Sequence, residues 1–145
     1  MSGFLTFVMA GRELAAPLAQ VREVVRATGV QPLRGVRAPV TGLVELRGSP
    51  LPVVDLRSDP DAGTTGDVVV LPGGPEGALG VAVDRVLAVV AGDELTGDDA
   101  PLPYGLPGYV TGLLRSVDDR RTVFLVDLWV LAGVPPSVPA RPAPR

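Results

Sequence analysis

The sequence predicts an all-β protein of two small β-barrels, about five strands each, related by internal duplication. Three observations carry that expectation. First, one motif occurs twice: Val40-Thr41-Gly42-Leu43 leads to Val54-Asp55-Leu56, and Val110-Thr111-Gly112-Leu113 leads to Val126-Asp127-Leu128. The opening elements lie 70 residues apart and the closing ones 72, so the later copy has a hairpin two residues longer. An upstream echo keeps the same order, with Leu18-Ala19-Gln20-Val21-Arg22-Glu23-Val24-Val25 matching Val83-Asp84-Arg85-Val86-Leu87-Ala88-Val89-Val90 by apolar position. One duplication of so long a unit describes paired subdomains, whereas solenoid repeats run to roughly 20–50 residues. Second, the apolar runs are short and rich in valine and leucine, which suits strands. Third, the 18 glycines and 16 prolines fall between those runs, as turn punctuation does.

Taken in order, the predicted strands are 4–9, 13–16, 22–27, 42–47, 51–56, 68–71, 78–83, 87–90, 109–115 and 123–126. Ala10-Gly11-Arg12 joins the first two, and a turn over 17–21 leads to the third. A turn at 38–41 precedes the fourth, and Arg47-Gly48-Ser49-Pro50 folds it back onto the fifth. Pro72-Gly73-Gly74-Pro75-Glu76-Gly77 joins the sixth and seventh, a turn near 107–109 precedes the ninth, and Val117-Asp118-Asp119-Arg120-Arg121 connects it to the tenth. A last helix over 128–132 is stopped by Gly133 and Pro135. Five strands with one buried face close into a barrel more readily than they form an open sheet with bare edges. Residues 1–133 therefore form the folded unit. From Val134 to Arg145 five prolines and few apolar side chains predict an extended, disordered tail.

Composition narrows the function classes. The chain has no cysteine and no histidine, which removes disulfides, thiolate metal sites and the commonest general base. It also has no lysine, so the phosphate-binding loop ending in Lys-Ser or Lys-Thr is absent. With 13 basic and 16 acidic residues the net charge of −3 gives no footprint for nucleic acid. Three Phe, two Tyr and one Trp are too few for a base-stacking platform. No run approaches the roughly 20 apolar residues of a spanning helix, and Met1-Ser2-Gly3 opens without a basic region, so a cytosolic, soluble protein is expected. Asp55, Asp84 and Asp127 each follow an apolar run, where a carboxylate caps the next turn or helix. Asp59, Asp61, Asp98 and Asp99 lack the spacing of a calcium loop and read as solvated acidic loops. No catalytic residue, metal or cofactor is expected.

Six elements, in their order and spacing, resemble the CheW family of chemotaxis coupling proteins. They are Val21-Arg22-Glu23-Val24; Pro39-Val40-Thr41-Gly42-Leu43 leading to Glu45-Leu46-Arg47-Gly48; Leu51-Pro52-Val53-Val54-Asp55-Leu56-Arg57; Gly80-Val81-Ala82-Val83-Asp84-Arg85-Val86; Tyr109-Val110-Thr111-Gly112-Leu113; and Leu125-Val126-Asp127-Leu128. The match runs from Phe4 to Ala132. The resemblance implies two intertwined, five-stranded SH3-like barrels and a non-catalytic adaptor in the cytoplasm. Its implied partners are the helical cytoplasmic tip of chemoreceptors and the regulatory domain of the histidine kinase CheA, through which it joins membrane receptor arrays without entering the membrane. A CheW-like scaffold in another receptor- or kinase-linked pathway stays open.

The resemblance places receptor coupling on Val21, Gly42, Arg47 and Val89, and kinase contact in the stretch containing Glu23 and Val24. Val86, equivalent to Val21 in the second repeat, joins the receptor-binding groove because matched elements of two repeats tend to meet at their seam. Leu43, Glu45 and Arg47 share one face of a strand. An arginine ending that strand beside Gly48 presents five donors to a carboxylate or carbonyl. Glu45 stands where the family has a small amide, two positions from Arg47 on the same face, so the two are able to pair. An exposed pair worth about 0–1 kcal/mol is too weak to lock the arginine away but enough to change which receptor segment fits. The loop after Arg57 lacks the family's short apolar segment.

Overall fold

The computed structural model describes residues 3–35, 39–58, 66–74 and 77–133. Twelve strands occur among them: β1 (Gly3–Met9), β2 (Arg12–Pro17), β3 (Glu23–Arg26), β4 (Gln31–Pro32), β5 (Gly42–Leu46), β6 (Ser49–Asp55), β7 (Asp67–Gly74), β8 (Gly77–Val83), β9 (Arg85–Ala91), β10 (Leu95–Gly97), β11 (Val110–Ser116) and β12 (Thr122–Val126). A 3-10 turn at Leu18–Gln20 and one short helix, α1 (Leu128–Leu131), complete the set. The all-β, two-barrel architecture is as expected. All ten expected strands form. The two missed, β4 and β10, are only two and three residues long and contain no apolar run for periodicity to detect.

The strands form two six-stranded sheets, ordered β3-β7-β8-β6-β5-β4 and β9-β1-β2-β12-β11-β10. The two orders superimpose strand for strand when each strand of the first repeat is matched to its counterpart six places later. Each sheet therefore takes four strands from one repeat and the opening hairpin from the other. β7 and β8 complete the first sheet, while β1 and β2 complete the second. The exchanged hairpins join through short parallel ladders, Val53↔Gly80 to Asp55↔Ala82 in the first sheet and Phe124↔Leu14 with Leu125↔Ala15 in the second.

This exchange explains why the central strands read as continuous apolar runs. Val69 and Leu71 of β7, Val81 and Val83 of β8, Leu5 and Phe7 of β1, and Leu14 and Ala16 of β2 enter one core between the sheets. The alternate residues Val68, Val70 and Ala82 fill the interior of the first sheet, and Ala15, with Phe4 packed against it, that of the second. Strands buried on both faces lose polar alternation. Leu128, Leu131 and Ala132 bring α1 onto the same central core. Asp127 caps that helix, accepting from the Trp129 and Val130 amides at 2.9 and 3.3 Å.

The duplicated motif pins the base of each hairpin. The Thr41 hydroxyl donates to the Val53 carbonyl and accepts from the Asp55 amide, and Thr111 donates likewise to Leu125. Ala10-Gly11 and Arg47-Gly48 are two-residue turns with positive φ at both positions, 54° and 76° in one and 50° and 83° in the other. These values match type I′ geometry, whose twist suits a hairpin. Arg47, expected to end its strand, is therefore a turn residue: β5 stops at Leu46, which pairs with Ser49. Part of the expected turn at 38–41, the loop after Ser58 and the tail from 134 onward lie outside the described residues.

Gly80 shows how closely the central strands approach. A Cβ there would lie 2.7 Å from Val68 Cγ1 and 3.0 Å from Leu51 Cδ2, inside a packed interior. Gly80→Ala is expected to destabilise the protein by about 1–3 kcal/mol through overpacking, read as a lowered midpoint in denaturant unfolding.

Candidate partner-binding surface

Because the central strands are buried on both faces, candidate contacts fall on the sheet-end strands β3 and β9, on the solvent-facing side of β5 and on their turns. At the tip of the β5–β6 hairpin the guanidinium of Arg47 meets the carboxylate of Glu23 on β3 in a bidentate pair, Nη1 to Oε1 at 3.0 Å and Nη2 to Oε2 at 2.5 Å. Arg22 approaches the same carboxylate at 3.7 Å. Hydrogen bonding to Arg47 is the main reason the Glu23 carboxyl sits below its ordinary value, with partial burial opposing and the charges of Arg47 and Arg22 assisting. The same contact raises the pKa of Arg47. Arg47 does not pair with Glu45. The turn places Arg47 off the strand register, and its fork reaches Glu23 instead. Glu45 is exposed and its side chain makes no hydrogen bond or ion pair with any described residue.

The four valines separate into two matched pairs. Val21 and Val86 are half-buried and pack against the core between the sheets. Val24 and Val89 are exposed, at 37% and 64%. Equivalent positions in the two repeats thus have equivalent surroundings. The packing of Val21 and Val86 gives both residues a structural role at the seam, and Val24 and Val89 supply accessible apolar surface on the strands that end the two sheets. Gly42 is buried in β5, where a Cβ would lie 2.9 Å from the Gln31 carbonyl oxygen and 3.2 Å from Val30 Cγ1. Close approach of β4 therefore explains this glycine. At the equivalent Gly112 the nearest atom would be 3.5 Å away.

Two features escaped the sequence reading. Leu87 on β9 and Leu102 and Tyr104 between β10 and β11 are exposed, with Tyr104 fully so. Exposure on a sheet-end strand or an irregular loop has no signature in apolar counting. The Glu23–Arg47 pair spans 24 residues and likewise lacks a local pattern.

The recurring aspartates have structural partners. Asp55 accepts from the Arg57 amide at 3.1 Å and pairs with the buried Arg57 guanidinium at 2.7 Å. Asp84 accepts from the Ser58 amide and hydroxyl and from the Ala10 amide. Burial pushes its pKa upward most strongly, but these hydrogen bonds and the nearby Arg57 charge together hold it below the ordinary value. Asp98 pairs with Arg115, and no three carboxylates among the described residues are placed to hold a metal ion. Asp59 and Asp61 lie outside the described residues.

The model of the CheW-like domain matches residues 3–134. The chain belongs to the CheW-like domain family. Its fold is similar to the crystal structure of the scaffolding protein TtCheW from Thermoanaerobacter tengcongensis, with a TM-score of 0.65 and 18% sequence identity over 88% of this chain and 84% of that one. A comparison with curated proteins gives no match. Within this CheW-like chain, residues assigned by resemblance to receptor and kinase contact, Arg47 and Glu23, touch each other.

The valine pairs are expected to respond differently to charge. Val24→Asp and Val89→Asp keep the strand signature in circular dichroism and a near-native melt, whereas Val21→Asp and Val86→Asp lower the melting temperature by several degrees because an unpaired charge is forced against the core.

The Glu23–Arg47 pair is expected to show a defined pH dependence. A depressed carboxyl pKa contributes stability above the unfolded value, and that contribution disappears as pH falls through the folded one. NMR titration should place the Glu23 carboxyl below its ordinary 4.5 in the wild type and move it back toward 4.5 in Arg47→Ala. An unmoved titration in that variant would show that Arg47 is not what holds the carboxylate.

Proposed function

We propose that this protein is a chemotaxis adaptor that couples the cytoplasmic tip of chemoreceptors to the regulatory domain of the histidine kinase CheA. The observation carrying this reading is the CheW-like domain match over nearly the whole described chain. The surface supports it. Arg47 stands 63% exposed at a hairpin tip, bonded to Glu23 on β3, with exposed Val24 on that strand and Val89 on the strand that matches it. Arg47, Gly42, Val21, Val86 and Val89 form the receptor side of the proposal, with Gly42, Val21 and Val86 shaping the surface from beneath. Glu23 and Val24 form the kinase side. The adaptor acts in the cytoplasm, joins membrane arrays through its partners and performs no turnover. No described helix is long and apolar enough to cross a membrane.

Coupling is expected to be lost by breaking contacts, without unfolding. In Arg47→Ala, affinity for a receptor-tip fragment from the same genome should fall by about tenfold or more, the scale of losing a charge-assisted hydrogen bond. Binding to the kinase regulatory domain and the thermal melt should stay close to wild type. Titration calorimetry with each partner separates these outcomes. Equal loss of both would put Arg47 on the kinase side, and unchanged binding to both would remove it from the interface.

A further inference from the structure

Beside the hairpin that carries Arg47, a cleft of about 220 Å³ opens on the outer face of β4, β5 and β6, lined by Gln31, Leu43, Glu45 and Pro50. The ladder builds it directly: Gln31 lies opposite Leu43, and Glu45 opposite Pro50. Leu43 and Glu45 project on the same side of β5, two residues apart. The cleft thus combines an apolar floor and wall with two polar side chains. Neither the Glu45 carboxylate nor the Gln31 amide bonds to any described side chain or backbone group. Arg47, two residues along the chain, turns to Glu23 instead, where Arg22 also converges. What remains is an accessible negative charge that no described residue pairs with, next to apolar surface and a second acceptor, the Gln31 side-chain carbonyl.

Resting on the adaptor reading above, we propose that this cleft receives a basic side chain, an arginine, from the receptor segment that docks beside Arg47, and that Glu45 is a specificity-determining residue for that partner. The chemistry selects a cation by charge. It selects arginine by shape, since the aliphatic stem lies along Leu43 and Pro50 while the planar fork reaches Glu45 and Gln31 together. An acidic side chain is repelled, and an apolar one leaves Glu45 desolvated and unpaired.

The test uses the full chain and a receptor-tip fragment from the same genome, with titration calorimetry at low and high salt. Glu45→Gln is expected to weaken receptor binding about three- to tenfold and to reduce the salt dependence of the affinity, with the melt and kinase-domain binding unchanged. Glu45→Arg should weaken it further, and replacing a tip arginine by Glu should restore binding to that variant alone. If Glu45→Gln binds the tip like wild type while Arg47→Ala loses it, the cleft proposal fails and the adaptor reading stands. If neither substitution affects tip binding, both fail. Weakening confined to the kinase domain, or rescue only through a tip lysine, also overturns the assignment as stated.

Discussion

Burial of β1, β2, β7 and β8 on both faces is the constraint on which the rest of this structure depends. Each of these strands supplies one row of side chains to the core between the sheets and the opposite row to a barrel interior. The central stretches of such strands have no surface to offer a partner. Accessible side chains are thereby displaced to the sheet-end strands β3 and β9, to the solvent-facing side of β5 and to their turns. The same constraint fixes the small residues, because a side chain at Gly80 would be driven into Val68 and Leu51.

Duplication has not made the two barrels equivalent at their surfaces. In the first, Glu23 and Arg47 tie β3 to the hairpin tip through a charged clasp. The corresponding residues of the second are Ala88 and Val117, with Leu87, Val89 and Val117 all exposed. One barrel thus presents ions where the other presents hydrocarbon. The second barrel is tied elsewhere, by Arg121 clamped between Glu13 and Asp119 and by Arg12 over the Phe124 ring at 5.7 Å. Those contacts reinforce a parallel β2–β12 ladder of only two residue pairs. One backbone plan with different side-chain chemistry at matched positions gives the chain two unlike faces.

The fold was legible because its signals were local or repeated. The Thr-Gly and Val-Asp-Leu elements reveal the duplication, and their two-residue offset corresponds to a longer turn between β11 and β12 than between β5 and β6. The Asp127 cap and the ensuing helix follow from local chemistry in the same way. The surface was less legible. Arg47 is exposed, but its place in the turn and its partner depended on a positive φ and on the curl that brings β3 to the hairpin tip. Pairing across 24 residues leaves no trace in strand periodicity. Valine is equally silent about which side it faces, so Val21 and Val24, three positions apart, needed the structure to separate core packing from exposure.

The exchanged hairpins also set an order on synthesis. The first sheet has all its strands once the chain has passed Val83, whereas the second requires residues as late as Val126, although β1 begins at Gly3. The earliest hairpin made is therefore among the last to find its place, and it carries apolar side chains on both faces throughout the wait. Such long-range pairings slow folding and leave strand edges available for the wrong neighbour. The architecture that secures the finished fold therefore also leaves its first hairpin waiting for its last strand.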